Sequence, residues 1–150
     1  MADVVTAQTR SRMMSGIRSN NTQPELLLRT GLHKMGFRYR LHDKSLPGTP
    51  DIVFPRYKGV IFAHGCFWHR HNCHLFRMPS TRTDFWEKKF DRNGEVDKRT
   101  IVSLLDADWR VCIVWECALK GKTRLPYDGL ISMCANWLHS HERLMVIEGS

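Results

Sequence analysis

Residues 50–74 read PDIVFPRYKGVIFAHGCFWHRHNCH. Two short apolar runs, 51–54 and 60–63, flank a turn rich in Pro, Lys and Gly. That pattern predicts two strands joined by a tight connection, the second of them buried. The first strand opens on Asp51, directly after a loop whose composition is Ser45-Leu-Pro-Gly-Thr-Pro50. The second runs into a segment crowded with histidine, cysteine and aromatic residues. A strand pair with a carboxylate at one end and a cluster of ligand-type side chains at the other sets the terms for the rest of the chain.

Toward the N-terminus, residues 37–41 alternate with period two and predict a further strand. Before them, Thr22-Gln-Pro-Glu25 opens a helix: Thr22 caps, Pro24 suits the first turn and Glu25 completes a capping box. Leu28, Leu32 and Met35 recur on one face, and Gly36 stops the helix. Toward the C-terminus, residues 83–105 read as helical, with Asn93-Gly94 expected to interrupt them and Asn93 to cap a second helix. Residues 110–115 form another strand, and Leu125-Pro126 leads into a last helix ending near 137–139. The order is helix, three strands, helix, strand, helix. The early strands suit a hairpin or meander, and the strand after the helix returns parallel through a crossover. The expected fold is an α/β sandwich around a mixed sheet flanked by helices. Residues 1–21 form an arm and residues 22–150 a single domain.

A chain of 150 residues is long enough for one real core, and 42% hydrophobic content is that of an ordinary globular protein. No stretch approaches the length that crosses a bilayer, and residues 1–12 lack the apolar core of a signal peptide. A cytosolic protein without membrane partners is expected. Lys and Arg number 23 against 15 acids, a formal charge of +8, which favours polyanions, nucleic acid before anionic membrane. The first forty residues hold seven basic side chains and two acids, Asp3 and Glu25, which fits a binding arm. Five cysteines, an odd number without a secretion signal, argue against a disulfide framework.

Six candidate ligands fall between His64 and His74. A structural zinc ion takes four tetrahedral ligands from Cys and His, and Cys66, His71 and Cys73 are close enough for one loop to wrap it. The fourth is open among His69, His74 and Cys117, the last just beyond the 110–115 strand. Cys112 and Cys134 sit in apolar elements and read as buried thiols. Phe67 and Trp68, in the same loop, suit either of two roles. They pack as a small satellite core, or they enter a base stack, where partial unstacking costs about a few kcal/mol per step.

Asp51 alone is an ordinary turn aspartate. Its setting resembles the first half of the PD-(D/E)xK signature of restriction-endonuclease-like nucleases, in which such an acid holds Mg²⁺ against the scissile phosphate. The second half is missing: Phe62-Ala63-His64 stands where an acid and a lysine are expected. Glu87-Lys88-Lys89 has the right letters but falls in a helical region.

Four segments together resemble the very-short-patch repair (Vsr) endonuclease family. They are SLPGTPD at 45–51, VIFAHGCFWH at 60–69, PSTRTDFW at 79–86 and WRVCIVWECA at 109–118. The likeness runs from the arm to about Leu119 and is weak after Gly121. It implies a restriction-endonuclease-like fold and an enzyme that nicks one strand of double-stranded DNA on the 5′ side of the thymine in a T·G mismatch left by 5-methylcytosine deamination. In that family the second carboxylate is normally absent.

The same resemblance implies roles for single residues. Asp51 binds Mg²⁺, joined by the main-chain carbonyl of Ala63, where relatives often have Thr. His69 acts as general base, a role suited to imidazole near neutral pH. His64 supports the phosphate or the attacking water, and Glu25 helps position the site. Zinc is held by Cys66, His71, Cys73 and Cys117, which frees His69 for chemistry. Phe67, Trp68 and Trp86 enter the stack beside the mismatch, Met14 intrudes from the arm, and Lys89 and Asn93 read or brace the pair. A bacterial cytoplasmic monomer is implied, on nucleoid DNA when bound, with mismatch-repair proteins as candidate partners. The rival readings are a restriction or nicking enzyme of the same fold that reads paired sequence, a non-catalytic zinc-stabilised DNA-binding module, and an HNH-type nuclease using the histidine cluster.

Overall fold

The computed structural model describes residues 21–150. The expected arm, Met14 included, lies outside the described residues except for Asn21. In chain order the elements are α1 (Gln23–Lys34), β1 (Arg40–Leu41), β2 (Ile52–Phe54), β3 (Gly59–His64), α2 (Thr83–Asp106), β4 (Arg110–Trp115), α3 (Tyr127–His139) and β5 (Leu144–Ile147). Single 3₁₀ turns follow β2 at Pro55–Tyr57 and β4 at Glu116–Ala118. The strands form one mixed sheet in the order β1-β2-β3-β4-β5. The first three are an antiparallel meander, and β4 and β5 add in parallel, each reached through a helix.

Alternation along the strands sorts the core into two layers. Ile52, Phe54, Ile61, Cys112 and Val114 face one side, where they pack with Leu28 and Leu32 of α1 and with Leu130, Cys134, Trp137 and Leu138 of α3. Val53, Val60, Phe62, Val111 and Ile113 face the other side, which Leu104 of α2 covers. Because both faces are covered, β3 and β4 read as unbroken apolar runs. Arg110 ties the layers at one end. Its guanidinium donates to the carbonyls of Trp137, Leu138 and Tyr57 at 2.9, 2.8 and 3.0 Å and lies over the Trp137 ring, closing the C-terminal turn of α3.

Four local expectations need correction. The strand expected over 37–41 shrinks to two residues, because the Phe37 N–H donates to the Leu32 carbonyl at the end of α1, and its ring packs against Phe54 and Tyr57. Asn93-Gly94 does not interrupt α2, which is one helix of 24 residues. A mid-helix Gly costs about 1 kcal/mol. Packing of Phe90 and Leu104 on either side outweighs it, and the Asn93 amide bonds the Trp68 carbonyl instead of capping. At the start of α1, Thr22 makes no side-chain cap bond, while Glu25 reaches back to the Asn21 N–H at 3.3 Å. Gly36 does end the helix, at φ +99° where a side chain would be strained. Finally, β5 was not expected, although Leu144-Met-Val-Ile147 is a short apolar run after a helix. No described helix is long and apolar enough to cross a membrane.

Candidate active site and metal-ligand cluster

One cleft of about 1150 Å³ opens where the meander meets α1 and α2. Asp51, Ala63, His64 and His69 line it together, with Glu25 on one wall and Lys89, Asn93 and Asp97 of α2 on the other. Asp51 stands at the head of β2, and its Oδ2 accepts the Ala63 N–H at 2.8 Å, so antiparallel pairing with β3 sets its position.

Glu25 is the most deeply buried acid of the site, at 1% exposure. Its Oε2 accepts from Arg29 at 3.0 Å, and both its oxygens lie 2.8–2.9 Å from His42 Nε2. The His42 main-chain N–H in turn donates to the Asp51 carbonyl at 3.1 Å. His42 adopts φ +49°, unusual for a residue with a side chain, with its ring on the Glu25 carboxylate and its N–H on the Asp51 main-chain carbonyl. Ligand-type atoms of Glu25, His42 and Asp51 lie within 4.8 Å of one another. Burial pushes the Asp51 carboxyl up to about 6. The Ala63 N–H opposes this, the Glu25 charge reinforces it and the His42 charge opposes it. Two neighbouring carboxylates, one buried and one half-buried, are suited to a divalent cation, which would satisfy both charges.

On the far side of Ala63, His64 and His69 stack face to face at 3.9 Å, with their planes 5° apart. His64 is 8% exposed and its Nδ1 has no hydrogen-bond partner among the described residues. Burial holds its pKa down at about 3; neighbouring His69 adds to this and Asp97 opposes it, so the ring is neutral near pH 7. His69 Nδ1 pairs with Asp97 Oδ2 at 2.5 Å. Neither Asp97 nor His42 was singled out from the sequence. Asp97 lies in a charged helical stretch that looks like a solvated face, and only the packing of α2 beside the loop after β3 brings it to His69.

Cys66, His71, Cys73 and Cys117 converge behind the stacked pair, with ligand atoms within 4.8 Å of one another. His71 Nδ1 lies 3.7 Å from Cys66 Sγ and 3.6 Å from Cys117 Sγ. The Cys117 N–H points at Cys66 Sγ at 3.3 Å. Burial pushes the Cys66 and Cys117 thiols up, a penalty that a bound cation would reverse. Three thiols and an imidazole, with N–H groups aimed at sulfur, match the donor set of a structural zinc ion. His74 is not in this set. Trp115 joins the two regions: its ring stacks on His71 at 4.1 Å and meets His64 edge-on at 5.2 Å.

Phe67 contacts the rings of Trp68, Phe76, Trp86 and Phe90 at 5.0–6.1 Å, so the aromatic residues of the loop and of α2 form a satellite core. Phe67 and Trp68 also line the cleft. Trp86 stands behind them, 6.0 Å from Trp68 and 5.6 Å from Phe90.

Similarity to known proteins agrees with this arrangement in a single class, the DNA endonucleases. The family model described as DNA mismatch endonuclease Vsr matches residues 2–75. The DNA mismatch endonuclease Vsr of Escherichia coli is 46% identical over 138 residues, covering 92% of this chain and 88% of that protein. The type II nicking enzyme V.XorIIP of Xanthomonas oryzae is 46% identical over 79% of this chain and 88% of its own length. The type II nicking enzyme V.NmeAIP of Neisseria meningitidis is 45% identical, with coverages of 81% and 87%. The chain belongs to the Vsr DNA mismatch endonuclease family.

Proposed function

We propose that this protein nicks one strand of double-stranded DNA on the 5′ side of the thymine in a T·G mismatch, as the repair step after deamination of 5-methylcytosine. The observation that carries the reading is the single cleft holding Asp51, His64 and His69 with Phe67 and Trp68 on its wall. Chemistry on a phosphodiester and recognition of a distorted stack then take place side by side.

In this reading His69 is the general base. With Nδ1–H donated to Asp97, Nε2 is left as the basic nitrogen and takes a proton from the attacking water. Neutral His64, stacked against it, supports the phosphate or that water. Asp51 and the main-chain carbonyl of Ala63 hold Mg²⁺, with Glu25 fixing the position of Asp51 through His42. Mg²⁺, when bound, supplies charge stabilisation at the phosphate and lowers the pKa of water. The zinc ligands are Cys66, His71, Cys73 and Cys117, and the ion stiffens the loop that carries Phe67, Trp68 and His69.

Mismatch selectivity rests on deformability. A T·G wobble pair yields to inserted rings more readily than a Watson–Crick pair. Phe67 and Trp68 enter the stack, Trp86 backs them, and Lys89 and Asn93 reach the pair from α2. Met14, in the arm of residues 1–21, completes the contact from the other side. The described domain is a restriction-endonuclease-like catalytic unit acting as a cytoplasmic monomer at the nucleoid, with mismatch-repair proteins as candidate partners. One site per monomer accounts for cutting one strand.

The test is strand-resolved cleavage of duplexes carrying each mismatch, with Mg²⁺ present or withheld. A nick 5′ to T in T·G alone, dependent on Mg²⁺, is expected. Equal nicking of fully paired duplex would assign the chain to sequence-specific nicking instead. Binding without cleavage under any condition would leave a zinc-stabilised DNA-binding module.

A further inference from the structure

We propose that Glu148 and Gly149, just beyond β5, form a clasp that orients His71 and Cys117 and slows loss of the zinc ion from the Cys66–His71–Cys73–Cys117 cluster. The inference rests on the proposed zinc site.

The geometry treats the two nitrogens of His71 differently. Nδ1 faces the sulfurs of Cys66 and Cys117, while Nε2 lies 3.3 Å from Glu148 Oε2. The ring therefore presents Nδ1 to the ion and donates Nε2–H to a carboxylate. A carboxylate on the outer nitrogen fixes the tautomer and ring angle of a ligating histidine and raises its basicity, and loss of such a partner typically lowers metal affinity roughly 10- to 100-fold.

Gly149 acts on another ligand. Its N–H points at Cys117 Sγ at 3.3 Å, where it offsets the charge of a thiolate. The approach requires glycine. A Cβ at this position would lie 2.6 Å from the Cys117 carbonyl oxygen and 2.4 Å from Thr123 Oγ1. Thr123 holds the same corner. Its hydroxyl donates to the Cys117 carbonyl at 3.1 Å, and its own carbonyl accepts the Ser150 N–H at 3.0 Å. Ile147, the last residue of β5, is buried and paired with Val114 of β4, three residues before Cys117. Adding β5 to the sheet thus delivers Glu148 and Gly149 to the cluster, and strand pairing is coupled to ligand geometry.

The experiment measures zinc content of the full chain and the rate of zinc transfer to a chromophoric chelator. Glu148→Ala and Gly149→Ala are compared with Glu142→Ala, an exposed acid outside the cluster. One zinc per chain in wild type, roughly tenfold or faster release from both clasp variants, and no change in Glu142→Ala are expected. Circular dichroism on the zinc-loaded proteins separates loosened ligation from failure to fold, and Glu148→Gln, which keeps an acceptor without charge, should fall between. Wild-type release rates in folded Glu148→Ala and Gly149→Ala would overturn the clasp while leaving the zinc site intact. Absence of zinc from wild type would instead overturn the zinc assignment beneath it.

Discussion

His69 Nδ1 lies 2.5 Å from Asp97 Oδ2, so the loop after β3 is tied to the middle of α2 at the histidine proposed as base. Both side chains are about a quarter exposed, so the pair is partly screened and its value is in geometry more than in stability. Asp97→Asn keeps the shape but lets the ring take the other tautomer. The nicking rate should fall roughly 10²-fold, with mismatch binding and zinc content retained. Single-turnover cleavage beside a binding assay checks this, and an unchanged rate would remove Asp97 from the machinery.

Asp51 gives a prediction with a definite sign. Its folded-state pKa is raised from 3.8 to about 6, so the native protein carries an unfavourable buried charge above that range. Below 3.8 the group is protonated, folded or unfolded, and contributes nothing. Between the two values stability rises as pH falls. Asp51→Asn should therefore raise the melting temperature of Mg²⁺-free, zinc-loaded protein at pH 7.5 by a few degrees, on the order of 1–3 kcal/mol. The gain should vanish near pH 4. Nicking should drop at least about 10³-fold with loss of the cation ligand. Thermal melts at the two pH values, with a cleavage assay, read both arms.

His42 gives a third test. Among the described residues it alone holds Glu25 through its side chain and Asp51 through its backbone. In His42→Ala the Glu25 carboxylate loses its imidazole hydrogen-bond partner but keeps Arg29. The Mg²⁺ concentration for half-maximal nicking should rise about tenfold, with the rate at saturating Mg²⁺ close to wild type. His42→Gln restores a donor of similar reach and should recover most of the loss. An equal fall in rate at every Mg²⁺ concentration would contradict this positioning role.

How far this site could be read in advance depends on how local its signals are. The strand pair around Asp51 and the buried strands 60–63 and 110–115 follow from short apolar runs bounded by turn residues. The crowding of 64–74 is visible in the sequence itself. The convergence of Cys117 on that loop is not, because parallel pairing of β3 with β4 sets His64 beside Trp115 across 51 positions of chain. His42 and Asp97 escaped for the same reason: each is an unremarkable polar residue until the sheet or α2 presents it to a partner. The continuity of α2 through Asn93-Gly94 shows the opposite error, where a strong local breaker is overruled by burial on both sides.

The ring cluster separates packing from recognition. Phe67 touches four other rings, including fully packed Phe90, and both Phe67 and Trp68 line the cleft. Phe67→Ala should destabilise the fold by about 2–4 kcal/mol, the range for truncating a packed aromatic residue. Its loss of activity should exceed what that destabilisation produces, because Phe67 also enters the stack. Trp68→Ala removes a ring that can stack on a base, an interaction worth about 1–3 kcal/mol. It should lower the preference for T·G over paired DNA roughly tenfold at little cost in melting temperature. Competition binding between mismatched and paired duplexes, with melts of each variant, distinguishes the two. If Trp68→Ala discriminates as well as wild type, these rings serve the satellite core alone and selectivity must arise on α2, at Lys89 and Asn93, which line the opposite wall.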